Sequence, residues 1–349
     1  PPRPSADVSG MVVAAALGTT VSSLAPRIET VCGNPTEVVR VGGGPLRLVF
    51  VPGNPGIASF YGSTAAALSE SLDASAAVIG FRGHTLNPLL SPTRAFDLEQ
   101  QVDHVAGFLE GELSASGEAD LVVVGHSIGA WVALEAVRRL GANQRRVTAC
   151  LGLMPYLATE TEDAGRKAVL IRQWFAPALI WLLAGVAQLI GWLPVRAWRM
   201  AALRFLEPEI SGYDPDQREI AEMSLPRFGT LLNILTLFRA EARNHASPYD
   251  FSRLDGFRDR ICLLVSPGDP WCCSESAGGG AAAGLAVYRV AGLPHAFGTQ
   301  RASRTAVVAW LTTTVRKLRG GGGARGGAGV APGVRAAASR RASRSPART

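Results

Sequence analysis

Charge of either sign is missing from residues 173–195, and acidic residues are missing from residues 319–349. Charged residues are scarce overall, at 18% of the chain against 47% hydrophobic. That balance excludes an intrinsically disordered chain and indicates a globular protein with a sizeable core. At 349 residues the chain suits one large domain with insertions, or two ordinary ones. Cysteine is sparse too: five residues, at 32, 150, 262, 272 and 273, show no framework spacing, and the last two are adjacent. A disulfide scaffold is thereby excluded, and reduced thiols in a protein facing the cytosol fit best. The five histidines lack paired-ligand spacing, so no metal is expected, and no other cofactor.

The missing acids locate the basic charge. The net charge of +7 equals the seven arginines at 319, 325, 335, 340, 341, 344 and 348, so residues 1–318 are near neutral. The Gly/Ala/Arg/Ser-rich segment 319–349 has almost nothing to bury and reads as a disordered basic tail. Such a tail suits anionic head groups or RNA, with a solubilising extension as the plainer account. No nucleic-acid partner is expected of the folded part. Residues 1–27 read as a poorly ordered N-terminal extension. Within it "MVVAAALGTTVSSLAP" makes a poor signal peptide, because Arg3 is offset by Asp7. Proline at position 1 leaves the true start of the protein open.

Short apolar runs recur at intervals. "IETVC" and "TEVVRV" flank the turn "GNP" at 33–35 and read as an antiparallel pair. Then come "LRLVFV" (46–51), "AAVIGF" (76–81), "LVVVG" (121–125), "VTACLGL" (147–153), "ICLLVS" (261–266) and "LAVYRV" (285–290). Helical patterns lie between them. Leu98, Val102, Val105 and Leu109 share one face, and Ala306, Trp310 and Leu311 point inward from a closing helix at 301–318. Strands alternating with helices predict an α/β fold: a mostly parallel sheet with helices on both faces, spanning residues 28–318.

The rhythm breaks between about 156 and 250, which reads as an apolar helical cap insertion. The uncharged run "QWFAPALIWLLAGVAQLIGWLPV" has the length of a membrane span, with Arg172 and Arg196 as flanks. A full crossing would put the later strands on the other side of the membrane from the earlier ones, and one sheet could not close. A shallow helical hairpin lying in a lipid surface is therefore preferred over a buried cap helix. Trp174, Trp181 and Trp192 are its interfacial anchors.

Gly125-His126-Ser127-Ile128-Gly129 fits G-x-S-x-G, with a strand before it and a helix after it. The elbow needs glycine at 125 and 129 because side chains there would crowd the turn. The competing account makes Ser127 an ordinary helix cap. Order decides between them, since a serine nucleophile needs a base and the base needs an orienting carboxylate. "ICLLVS" runs into "PGDPW", placing Asp269 at a strand end; "LAVYRV" runs into "AGLPHAF", placing His295 after the last strand. His84, His104, His126 and His245 compete poorly by position, and packing or exposure is the expectation for each. The oxyanion hole is expected to use the backbone N–H of Ile128 and that of Asn54 in "VPGNPG" (51–56). Pro52 and Pro55 have no N–H to give, and Gly53 permits close approach.

"VPGNPGIASFY", "QVDHVAGFLE", "GHSIGAWVALE", "LMPYLATE", "GDPWC" and "LPHAF" occur in the order found in the lipid droplet-associated hydrolase family, a branch of the α/β-hydrolases, which this chain resembles over about residues 45–312. The resemblance implies a serine hydrolase of lipid droplets and endoplasmic reticulum, with Ser127, Asp269 and His295 at the catalytic positions. It implies neutral lipid esters, notably sterol esters, as substrates, and a hydrophobic insertion that directs binding to droplets. The Arg-rich tail and the Gly/Ala-rich 277–284 depart from the family pattern without touching the motifs. Hydrolysis of apolar lipid esters through an acyl-enzyme is the reading adopted. A droplet-coating protein with little turnover and a lipid acyltransferase are the alternatives.

Overall fold

A computed structural model describes residues 24–115, 120–158, 169–193, 212–244, 249–272, 284–320 and 329–330. One sheet organises them. Its strands are β1 (Arg27–Val31), β2 (Asn34–Gly42), β3 (Leu46–Val51), β4 (Ala74–Ile79), β5 (Leu121–His126), β6 (Val147–Leu153), β7 (Ile261–Val265), β8 (Ala286–Arg289) and β9 (Gly329–Val330). Their spatial order is β1-β2-β4-β3-β5-β6-β7-β8-β9. Among the described residues only the β1–β2 and β2–β4 pairings are antiparallel. β9 lies within the segment expected to be a disordered tail, yet its two residues pair with Tyr288 and Arg289.

Central parallel strands are covered on both faces, which is why β5 opens on the apolar run Leu121–Val124 and all six of its residues are buried. Each valine so buried contributes roughly 1.5–3 kcal/mol of hydrophobic stabilisation. Helices α1 (Gly62–Leu72), α2 (Leu98–Ala115), α3 (Ile128–Arg139) and, at the end, a long C-terminal helix (Arg301–Arg319) cover the sheet. Helix α1 pairs with the C-terminal helix, and α2 pairs with α3. Of the inward positions read from the sequence, Leu98, Val102, Val105, Leu109, Trp310 and Leu311 are buried, and Ala306 is partly buried against the same core. This is the α/β-hydrolase arrangement that the sequence predicts.

The insertion contributes α4 (Ala176–Gly191), α5 (Pro215–Ser224) and α6 (Phe228–Asn244), so the C-terminal helix is α7. Helix α4 runs unbroken through Gly185, whose Cβ position is open. The expected hairpin is therefore corrected to a single helix. Sixteen residues make it about 24 Å long, and among the described residues no helix is long and apolar enough to cross a membrane. Its inner face (Ala176, Ile180, Ala184, Ala187) is buried. Ile180 and Ala184 join Leu232 and Ala242 of α6 in a small separate core. Its outer face carries large side chains in water: Trp181, Leu182, Leu183, Val186 and Leu189 are exposed, with Trp174 and Trp192 beyond its ends. The helix is thus half a packed cap and half an open apolar surface.

Candidate active site

Ser127 stands between β5 and α3 with φ 52° and ψ −127°, a conformation that costs a non-glycine residue about 1–3 kcal/mol. Three backbone hydrogen bonds hold it. The Ser127 N–H donates to Leu153 O at 3.0 Å, and the Ser127 carbonyl accepts from Ala130 and Tyr156 N–H, both at 3.0 Å. The flanking glycines are sterically required. A side chain at 129 would collide with the carbonyls of Val51 and Pro52, and one at 125 would meet Ala130 Cα at 2.5 Å. The hydroxyl makes no capping hydrogen bond to α3. It lies instead 2.9 Å from His295 Nε2.

His295 follows β8 on a loop turned by Gly292 at φ 79°. Its Nδ1 is 2.8 Å from Asp269 Oδ2. Asp269 sits just after β7, its side chain fully buried. Its other oxygen accepts from the N–H groups of Trp271 (2.8 Å) and Cys272 (3.2 Å). With three donors on it, the carboxylate binds Nδ1–H, which leaves the Nε2 lone pair facing the serine O–H. Residues far apart in sequence thus meet at the C-terminal ends of three parallel strands of one sheet, β5, β7 and β8, with β6 between the first two. Ser127, His295 and Asp269 are brought together as expected from the sequence.

The loop 52–56 lies against the same centre. A Cβ on Gly53 would sit 2.8 Å from Ser127 Cβ, so only glycine lets the loop approach this closely. The N–H of Gly53 is taken by Tyr61 Oη at 3.0 Å. The Asn54 side chain is held by α6: its Nδ2 donates to Ile234 O (3.0 Å) and Glu241 Oε1 (3.2 Å). His84 fixes the next residue through Nδ1 to Pro55 O at 2.6 Å, and burial lowers its pKa to about 4. Among the described residues the backbone N–H groups of Asn54 and Ile128 have no protein acceptor. The second of these is an orphan donor of the first turn of α3, where the helix dipole adds positive potential.

The sequence signalled the three chemical groups and overlooked their supports. His126, Tyr61, Glu241 and Trp271 all border the site. His126 is buried, bonded to Tyr61 Oη (2.7 Å) and His295 O (2.9 Å). Its place beside the nucleophile was the available signal. Burial, with His295 adding to it, holds its pKa well below the ordinary 6.5. Glu241 is buried and its carboxyl is raised to about 8 by desolvation, against the pull of the Asn54 hydrogen bond. The Trp271 ring lies 6.4 Å from that of His295 and 5.9 Å from that of Phe238 on α6. His104 is buried on α2 against Thr36 Oγ1, away from this centre, and His245 lies outside the described residues. Among the described residues no group of three His, Cys, Asp or Glu side chains is arranged to hold a metal.

Residues 44–297 match the family model of the lipid-droplet associated hydrolases. The chain belongs to that family. Two curated lipid droplet-associated hydrolases are similar to it. The Drosophila melanogaster protein is 31% identical over 121 residues (31% of this chain, 38% of that one), and the Dictyostelium discoideum protein is 30% identical over 100 residues (27% and 33%). The match thus spans between 33% and 38% of the relatives' own length. In fold, this lipid droplet-associated hydrolase family member is similar to a soluble variant of monoglyceride lipase from Saccharomyces cerevisiae, solved with a substrate analogue. The TM-score there is 0.55 at 14% identity, covering 86% of this chain and 98% of that one.

Proposed function

We propose that this chain is a serine hydrolase that cleaves carboxylic esters of apolar lipids, of sterol ester or acylglycerol type, at the surface of lipid droplets and endoplasmic reticulum, with the catalytic domain facing the cytosol. The reading is carried by one observation: a serine held in strained backbone geometry, within hydrogen-bond reach of an imidazole that a buried carboxylate orients. Ser127 Oγ attacks the ester carbonyl carbon while His295 Nε2 takes its proton. The negative charge that develops on the carbonyl oxygen is met by the N–H groups of Asn54 and Ile128. The C–O bond to the alcohol breaks, and His295 returns the proton to the departing oxygen. Water then attacks the acyl-enzyme with His295 again as base, releasing the fatty acid and restoring the serine. Asp269 steadies the imidazolium in both halves.

The substrate class is argued from α4. A helix that turns Trp181, Leu182, Leu183, Val186 and Leu189 to water, with Trp174 and Trp192 at its ends, suits insertion into the head-group region of a lipid monolayer. The family name and its relatives' names agree with a droplet surface. A fluorophosphonate probe tests the catalytic half: it should label the wild type and not Ser127→Ala, and labelling that survives the substitution overturns the assignment. Hydrolysis of an emulsified lipid panel, with and without an added alcohol, then separates hydrolysis from acyl transfer. A wild type that neither labels nor turns over any lipid would favour a droplet-coating role.

A further inference from the structure

We infer that His126 and Tyr61 form a positioning relay that fixes the oxyanion loop and the histidine loop relative to one another across the nucleophile elbow. The inference rests on the proposed catalytic roles of Ser127, His295 and Asn54, and adds two residues to them.

Chemistry fixes the direction of every bond in the chain. The Gly53 N–H can only donate, so Tyr61 Oη accepts it at 3.0 Å. His126 Nε2 lies 2.9 Å from His295 O, a carbonyl that can only accept. A neutral His126 whose Nε2 faces the His295 carbonyl carries its proton there, so its Nδ1, 2.7 Å from Tyr61 Oη, accepts the phenol proton. Three bonds therefore run one way, from the loop bearing the Asn54 donor to the backbone of His295. The middle of the chain is the residue bonded covalently to Ser127. A proton added at Nδ1 would face the phenol with donor against donor, which favours the neutral ring alongside its burial.

Packing holds the relay in place. The His126 ring lies 5.0 Å from that of His295 and 5.1 Å from that of Phe297, which packs edge-on; Tyr61 lies 6.3 Å from Phe297. A Cβ on Gly53 would be 2.8 Å from His126 Nδ1, so loop, elbow and relay are in mutual contact. The relay touches no reacting atom. Its role is to keep the oxyanion donor and the general base in register with Ser127 while charge moves between them.

Two measurements on the full chain test it. Histidine 15N chemical shifts of the wild type should show His126 as the neutral Nε2–H tautomer at neutral pH. The Nδ1–H tautomer, or an imidazolium, overturns the relay. Tyr61→Phe removes both the Gly53 acceptor and the Nδ1 donor. Its maximal rate of fluorophosphonate labelling should fall about ten- to a hundredfold, as expected of a displacement of up to about 1 Å, with the half-saturating concentration near that of wild type. His126→Gln combined with Tyr61→Phe should be no slower than the slower single variant, because both break one chain. A Tyr61→Phe rate within about twofold of wild type, or an effect confined to half-saturation, overturns the relay. If Tyr61→Phe does not fold, the tautomer decides. Labelling lost in Ser127→Ala but undiminished in Tyr61→Phe defeats the relay alone, whereas labelling retained in Ser127→Ala defeats the catalytic reading beneath it.

Discussion

Glu241→Gln should steepen the loss of stability with acid. In the folded protein the Glu241 carboxyl titrates at about 8 against an ordinary 4.5, because it is buried. Between those values the folded state binds more protons than the unfolded state. Its contribution to stability is therefore largest at low pH and is lost as pH rises towards 8. From pH 7.5 down to 5.5 the group adds about 2 to 3 kcal/mol. The buried histidines act in the opposite sense. His84 and His104 titrate at about 4, and His126 is held well below 6.5, so the unfolded chain binds more protons once pH drops below that value. His84 and His104 each remove a little over 1 kcal/mol across the same interval, and His126 acts in the same direction. In the wild type the gain at Glu241 therefore offsets much of the histidine loss between pH 7.5 and 5.5. Glutamine keeps an oxygen to accept from Asn54 Nδ2 but cannot titrate, so the variant loses the compensation. Urea unfolding at the two pH values, followed by tryptophan fluorescence, reads the difference directly. The histidine terms and that of Glu37, also raised by burial, are common to both proteins and cancel. A pH-dependent loss in the variant that exceeds that of the wild type by less than about 1 kcal/mol would refute a protonated, buried Glu241.

Asp269→Asn should leave the fold intact, since an amide fills the same space and its oxygen still accepts from Trp271 and Cys272 N–H. It should cut ester turnover by about 10³- to 10⁴-fold, because the amide no longer fixes the imidazole tautomer; a loss under tenfold in a steady-state assay would contradict the orienting role. Leu182→Ser with Leu189→Ser, both on the exposed face of α4, should weaken binding to phospholipid-coated triacylglycerol emulsions by about 2 kcal/mol, or roughly thirtyfold in flotation. Labelling of Ser127 in solution should be unchanged, and equal flotation of the two proteins would count against lipid docking through this face.

The strands were legible because a covered parallel sheet demands continuous apolar runs, and "LVVVG" or "ICLLV" admits few other readings. The three chemical groups were legible because each follows its own strand, so chain order substitutes for distance. Helix α4 was not. Its small residues, Ala176, Ala184 and Ala187, face inward while Leu182, Leu183 and Leu189 face out, the reverse of an ordinary surface helix. An uncharged run carries no sign of which side a partner helix will cover. The supports of the site were hidden for a different reason. Glu241 meets Asn54 across 187 positions and Tyr61 meets His126 across 65, through single hydrogen bonds that leave no period in the sequence.

Helix α6 serves two neighbours at once. Leu232 and Ala242 seat α4, while the Ile234 carbonyl and Glu241 grip Asn54. Anyone exchanging the exposed apolar helix between relatives would therefore have to transplant both helices as a matched set. A graft of α4 alone would seat it on a foreign groove, and any adjustment α6 made to receive it would be passed to the loop beside the serine.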